Sequence, residues 1–200
     1  QPVVGVTWYE ALAYGTWLQQ QYIDQTVPVP LAGTTLGALL ASGAWQMRLP
    51  TEAEWEKAAA WDAEARRKQM YAWGDAWDAT RANVSGSGLD APSAVGIFPA
   101  GASPCGALDM TGNVWEWTWS RSMDYPYQND TRHDPEGEAL RTLRGGGWDD
   151  RVSYMFSRYM GRITSVSRVP LVVMNPMRAP LRSRKAFAAT VEPCTSRVSL

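Results

Sequence analysis

Between residues 112 and 119 the chain reads Gly112-Asn113-Val114-Trp115-Glu116-Trp117-Thr118-Trp119, and no other stretch restricts the fold as much. Tryptophans at alternate positions after a Gly-Asn turn specify a β-strand with one face in a core, because successive strand side chains point to opposite sides. The chain holds 11 tryptophans against 3 phenylalanines. Tryptophan combines a large apolar area with an N–H that needs a partner, so most are expected in the core, Trp115 and Trp117 especially, with a minority on exposed loops as contact residues. The same stretch, with Asp109 just before it, offers the hard oxygen ligands Asp109 and Glu116 and spare carbonyls around a glycine.

A length of 200 residues suits one domain with a sizeable core. A formal net charge of −1 argues against nucleic acid or an anionic membrane surface as the main partner. No apolar run reaches the length of a membrane span, so membrane insertion is not expected. Cys105 and Cys194 have no metal-like or redox-like spacing, and a disulfide or two unpaired thiols are both open readings.

Local signals give two helices. Thr7 and Glu10 form a capping box for a helix from residue 8 to about 22, with Trp8, Leu12, Gly15 and Leu18 or Tyr22 at helical spacing. Thr51 and Glu54 cap a second, where Glu52 favours the positive helix end. Ala53, Trp55, Ala58, Ala59 and Trp61 give that helix an apolar face, and it is expected to continue towards Lys68. Thr26 to Ala44 reads as a connection with one helical turn, and Tyr71 to Pro104 as long irregular loops over short strands. Strands are expected around Trp115 to Trp119 and Leu140 to Leu143. Loops of this length need an ion, a ligand or their own packing to hold them.

The motifs together resemble the formylglycine-generating enzyme (sulfatase-modifying factor) family. Gly112-Asn113-Val114-Trp115-Glu116-Trp117 is similar to one of its signatures, and Arg48-Leu49-Pro50-Thr51-Glu52-Ala53-Glu54-Trp55-Glu56 matches its most recognisable motif almost letter for letter. Pro2-Val3-Val4-Gly5-Val6-Thr7-Trp8, Tyr71-Ala72-Trp73-Gly74-Asp75 and Arg144-Gly145-Gly146-Gly147-Trp148 resemble three further blocks. The resemblance implies an α+β, C-type-lectin-like fold of the formylglycine-generating-enzyme variant: two helices, small twisted sheets and extensive loops. It also implies opening strands before Pro2, so the chain reads as a single domain over residues 1–200 that begins inside the fold.

The family braces its loops with calcium, an ion that takes six to eight oxygens. By motif, one site falls on Asp109, Gly112, Val114 and Glu116, and another on Asn83 and Val84 with Asp90 as a third ligand. The competing reading is that Asp109 and Glu116 cap turns. The family's oxidases hold copper with two cysteines just past Arg-Gly-Gly, five positions apart. Asp150 and Met155 stand there in this chain, and Cu(I) needs soft thiolates, so copper is not expected. A sister branch uses non-haem iron in sulfoxide synthesis and needs several histidines. His133 is the single histidine, so iron is not expected either.

These absences lead to the expectation that the chain is not an enzyme. Variable proteins of diversity-generating retroelements share this lectin subfamily and vary after Arg-Gly-Gly. The first reading is therefore a non-catalytic domain that binds a protein or other macromolecule through Asp149, Arg151, Ser153, Tyr154, Phe156 and Tyr159, with Asp124 to Asn129 flanking. A catalytically dead regulatory or structural homologue is the alternative, and an active copper oxidase the third.

Overall fold

The structure is a computed structural model, and it describes residues 1–29, 32–124, 133–136, 139–152 and the strand Gly161–Thr164. Helix α1 spans Trp8–Tyr22 and opens on the expected box: the Glu10 amide donates to Thr7 Oγ1 at 3.2 Å, and the Thr7 amide donates to Glu10 Oε2 at 2.7 Å. Trp8, Ala11 and Leu18 are its buried positions. At Gly15 another segment passes close to the helix, since a Cβ there would stand 3.2 Å from the Met47 carbonyl oxygen.

The segment after α1 is more ordered than a plain connection. Strands β1 (Pro28–Val29) and β2 (Thr34–Thr35) pair antiparallel, and Thr35 caps the short helix α2 (Leu36–Ala41). Helix α3 covers Glu52–Ala60, with Thr51 and Glu54 in the second capping box. It does not run on towards Lys68. Asp62 Oδ1 accepts from the amides of Glu64 and Ala65 at 3.0 and 2.9 Å, a local turn that competes with the helix. Strands β3 (Trp61–Asp62) and β4 (Arg67–Lys68) then close a hairpin. Trp61 is consequently exposed at the helix terminus and takes no part in its apolar face.

The main sheet is antiparallel in the order β5 (Glu116–Arg121), β6 (Leu140–Arg144), β7 (Gly161–Thr164), with Glu116 opposite Arg144 and Trp117 opposite Leu143. Trp117 meets Trp8, Ala11 and Leu143 in the principal core. Both indoles are satisfied there: Trp8 Nε1 donates to the Thr118 carbonyl at 2.8 Å and Trp117 Nε1 to that of Val6 at 3.3 Å. Trp115 is only half-buried, packed on the margin of this core, so its expected full burial is corrected.

Strand β5 departs from a strand with a single covered face. Glu116, Thr118 and Ser120, on the side opposite the tryptophans, are buried as well. Helix α3 provides the cover: the Glu52 amide donates to Ser120 Oγ at 3.0 Å, and Trp55 Nε1 donates to Glu116. Arg144, opposite Glu116, reaches Glu52 at 2.6 Å and Glu56 at 2.8 Å, and the Arg144 and Glu52 side chains are each 1% exposed. Among the described residues, no helix is long and apolar enough to cross a membrane.

Breaking the Arg144–Glu52 pair leaves a carboxylate buried without its cation. Arg144→Met is expected to lower the unfolding free energy by about 3–5 kcal/mol. Arg67→Ala, at the exposed pair with Asp75, should change it by less than about 1 kcal/mol. Urea titration of both variants checks this, and equal losses would mean that the buried pair does not lock α3 to the sheet.

Candidate functional site

Three loops meet at Asn113, which is 1% exposed and has φ of 67°. Its amide donates to the Asn83 carbonyl at 2.7 Å, and its own carbonyl accepts from the Trp148 amide at 2.9 Å. Its side-chain oxygen accepts from the Ser93 amide at 2.9 Å. Beside it, the Gly112 amide donates to the Gly145 carbonyl at 2.9 Å. Gly112 has φ of 77°, and a Cβ there would lie 2.3 Å from the Asn83 carbonyl oxygen, so only glycine fits. The loops carrying Asn83, Gly112 and Gly145 are thus fastened into one cluster.

This cluster brings the two expected calcium sets together. Glu116 is buried and accepts from Trp55 Nε1. Desolvation, with the charge of Asp109 adding to it, pushes its carboxyl up to about 8 against the pull of that indole. Asp109, at φ of 58°, accepts from the Gly96 amide at 2.7 Å, and burial raises its pKa too. The Val114 carbonyl and the Glu116 side chain both face Gly145, 3.6 and 3.9 Å from where a Cβ would stand. Withdrawal from water makes either carboxyl costly to ionise, a cost that a bound proton or a cation relieves.

In the other set, the Asn83 and Val84 carbonyls accept from the amides of Asn113 and Ser87 at 2.7 and 2.9 Å. The Asn83 side chain spans Ala91 O and Ser87 Oγ, at 2.8 Å each. Asp90 is exposed in a left-handed turn beside them. Among the described residues, no three His, Cys, Asp or Glu side chains converge.

Past Arg144 the loop is held from below. Asp150 Oδ2 accepts from the Gly147 amide at 2.7 Å, and the Asp150 carbonyl accepts from the Ser85 amide at 3.0 Å. Asp149 and Arg151 stand exposed above these contacts. Ser153, Tyr154, Met155, Phe156 and Tyr159 lie outside the described residues, as do Cys194 and residues 125–129. His133 Nδ1 lies 3.4 Å from the buried Ser120 hydroxyl, and Cys105 donates its thiol to the Ala58 carbonyl at 3.0 Å. Sequence reasoning missed Trp55 as the partner of Glu116 and Asn113 as the hub. The Gly-Asn dipeptide signalled a turn but not what the amide would tie together.

Residues 1–170 match the family of sulfatase-modifying factor enzyme 1-like domains, and the chain belongs to that family. It is 41% identical over 158 residues to a hercynine oxygenase of Mycolicibacterium thermoresistibile, covering 74% of this chain and 29% of the relative. It is 30% identical over 161 residues to the inactive C-alpha-formylglycine-generating enzyme 2 of Mus musculus, covering 75% of this chain and 46% of that protein. The Treponema denticola variable protein 1 shares the fold, with a TM-score of 0.62, 23% identity, and coverage of 86% of this chain and 69% of that one. The lectin-like α+β fold therefore holds.

The expectation that the chain is not an enzyme is corrected by the 41% identity to an oxygenase. That expectation counted histidines and thiols within 200 residues. The chain spans only 29% of the relative's length.

The buried Glu116 sets a pH dependence. Its carboxyl stays protonated to about pH 8 in the folded state, against an ordinary value of 4.5. Between these limits the folded state binds more protons, so in chelator its contribution to stability falls as pH rises. Glu116→Gln should remove that fall, raising stability near pH 8 relative to pH 5 by about 1–3 kcal/mol. Melting curves at both pH values check it. A variant whose profile runs parallel to that of the parent would show that Glu116 ionises normally.

Proposed function

We propose that this chain is the sulfatase-modifying-factor-type domain of an oxygenase of the hercynine-oxygenase kind, and that it presents the loop after Arg144-Gly145-Gly146 to the substrate. The identity of 41% to a protein of that name carries the reading. The geometry supports it. Asp149 and Arg151 place opposite charges at the surface, on a loop whose base is fixed by the Gly147–Asp150, Ser85–Asp150 and Trp148–Asn113 hydrogen bonds. A rigid base is what a substrate-orienting side chain requires.

Any catalytic metal is held with groups beyond the described residues, since no three suitable side chains converge among these. Asp149 and Arg151 bind and orient in this reading, and they carry no proton or electron. Their exposure also favours a second use of the same surface, recognition of a protein or other macromolecule. Paratopes likewise mix adaptable polar side chains with aromatic anchors on a fixed frame.

Calcium at Asp109, Gly112, Val114 and Glu116 completes the proposal as a structural brace. One buried carboxyl, Glu116, one partly buried, Asp109, and nearby main-chain oxygens form the kind of set the ion takes. Asn83, Val84 and Asp90 form the lesser candidate, because Asp90 is exposed and both main-chain oxygens already accept hydrogen bonds. In the first set, among the described residues, the only main-chain oxygen that does so is that of Gly112, from the Val114 amide at 3.0 Å.

Oxygen uptake by the full-length gene product, with hercynine as substrate, tests the first reading. Uptake should depend on hercynine, and Asp149→Ala or Arg151→Ala should lower kcat/KM by about tenfold or more with the melting temperature unchanged. No hercynine-dependent uptake, or full activity in both variants, would overturn it. For the brace, calcium at a hundredfold excess over its dissociation constant should add about 2.7 kcal/mol of stability relative to chelator. Superimposable melting curves would leave Asp109 and Glu116 as turn-holding groups.

A further inference from the structure

The hydrogen bonds that fix the loop after Arg144-Gly145-Gly146 end at Asp150. Arg151, the next residue, is exposed, and among the described residues it takes part in no hydrogen bond or ion pair. A side chain with so many rotamers is placed by whatever holds its backbone, and that backbone is held by the residues on either side. Asp150 is one of them. Its carboxylate accepts from the Gly147 amide at 2.7 Å and its carbonyl from the Ser85 amide at 3.0 Å.

Val152 is the other, and its hold is apolar. It is partly buried against a cluster of Tyr71, Ala82 and Val84, none of them more than 4% exposed. Trp73 and Trp77 pack on the same cluster. The three rings close on one another, with centroids 5.5 Å apart for Tyr71 and Trp73, 5.2 Å for Tyr71 and Trp77, and 5.6 Å for the two tryptophans. The Trp73 indole also donates to the Ala76 carbonyl at 3.0 Å. A seat packed this closely does not shift to follow a side chain that leaves it. Ala82, Val84 and Ser85 moreover bring the apolar seat and the polar contact of the loop to one short segment, so the chain on both sides of Arg151 is tied to the same place.

We propose that Val152 is a positioning residue: its contact with the cluster of Tyr71, Ala82 and Val84 sets where Arg151 stands, and with it the affinity of the loop for substrate. This rests on the reading of the loop as the surface that meets substrate. Val152 touches no substrate and acts through the residue before it. A loop released from its seat has to be ordered again on binding, a cost that weakens binding and leaves the bound complex as it was.

The test is Val152→Ala, which removes most of the contact at a partly buried position and leaves the hydrogen bonds of Asp150 in place, so the variant should fold. Hydrogen exchange reads the anchor without substrate. The Ser85 amide should exchange about three- to tenfold faster in the variant, whereas the Trp119 amide, bonded to the Pro50 carbonyl at 2.7 Å, should keep its rate. In hercynine-dependent oxygen uptake by the full-length gene product, KM should rise about five- to tenfold with kcat within about twofold of the parent. Val152→Ile, which keeps the apolar contact, should restore both readouts. A Ser85 exchange rate unchanged by Val152→Ala would overturn the proposal, as would an unchanged KM or a loss confined to kcat. A parent protein without hercynine-dependent uptake would instead remove the oxygenase reading, and the Ser85 exchange rates, which need no substrate, would still uphold or overturn the anchor.

Discussion

Asn113 is the point on which the loop architecture depends. A buried side-chain amide has both donors and an acceptor, and this one sits where loops without regular structure must exchange hydrogen bonds. Asn113 joins the Asn83, Ser93 and Trp148 segments through its own backbone and side chain. Aspartate would lose the donors and leucine every side-chain bond, and each buried polar group left without a partner costs about 1–3 kcal/mol. The left-handed backbone at Gly112 and Asn113 brings these groups to bear, and Gly112 is the residue that lets the chain pass the Asn83 carbonyl.

A second constraint ties this hub to the regular elements. Strand β5 is covered on both sides, by the Trp8 core and by helix α3. Trp55 fixes the carboxyl of Glu116, and α3, which carries Trp55, is anchored to β6 through Glu52 and Arg144. The position of a buried acid at the start of β5 is thus set by a helix side chain and an ion pair some distance away in the chain. Burying Arg144 is tolerable because two carboxylates meet it, whereas an unpaired guanidinium there would bear its full desolvation cost.

Much of this was legible in advance because its causes are local. Thr7 with Glu10 and Thr51 with Glu54 name helix starts, and the alternating tryptophans name β5. The end of α3 was misplaced because the turn at Asp62 is made by hydrogen bonds to Glu64 and Ala65, which a periodic apolar pattern does not report. The second covered face of β5 was missed for a related reason. Glu116, Thr118 and Ser120 are polar by sequence, and the long-range partners Trp55, Thr142 and Glu52 make their burial tolerable. The site residues Asp109, Gly112, Val114 and Glu116 were located through family motifs. Their shared desolvation emerges only when the loops are closed.

The structure separates what holds from what is displayed. Asn113, Glu116 and Arg144 are buried and interlocked, whereas Asp149 and Arg151 stand on a loop that Asp150 and Trp148 already fix through hydrogen bonds independent of either exposed side chain. A change at a displayed position removes no buried partner, so it alters recognition at little expense in stability. The fold is shared with a variable protein, and sequence likeness extends to proteins named as an oxygenase and as an inactive enzyme. The buried half of the chain specifies a platform, and the exposed side chains of Asp149 and Arg151 stand on it.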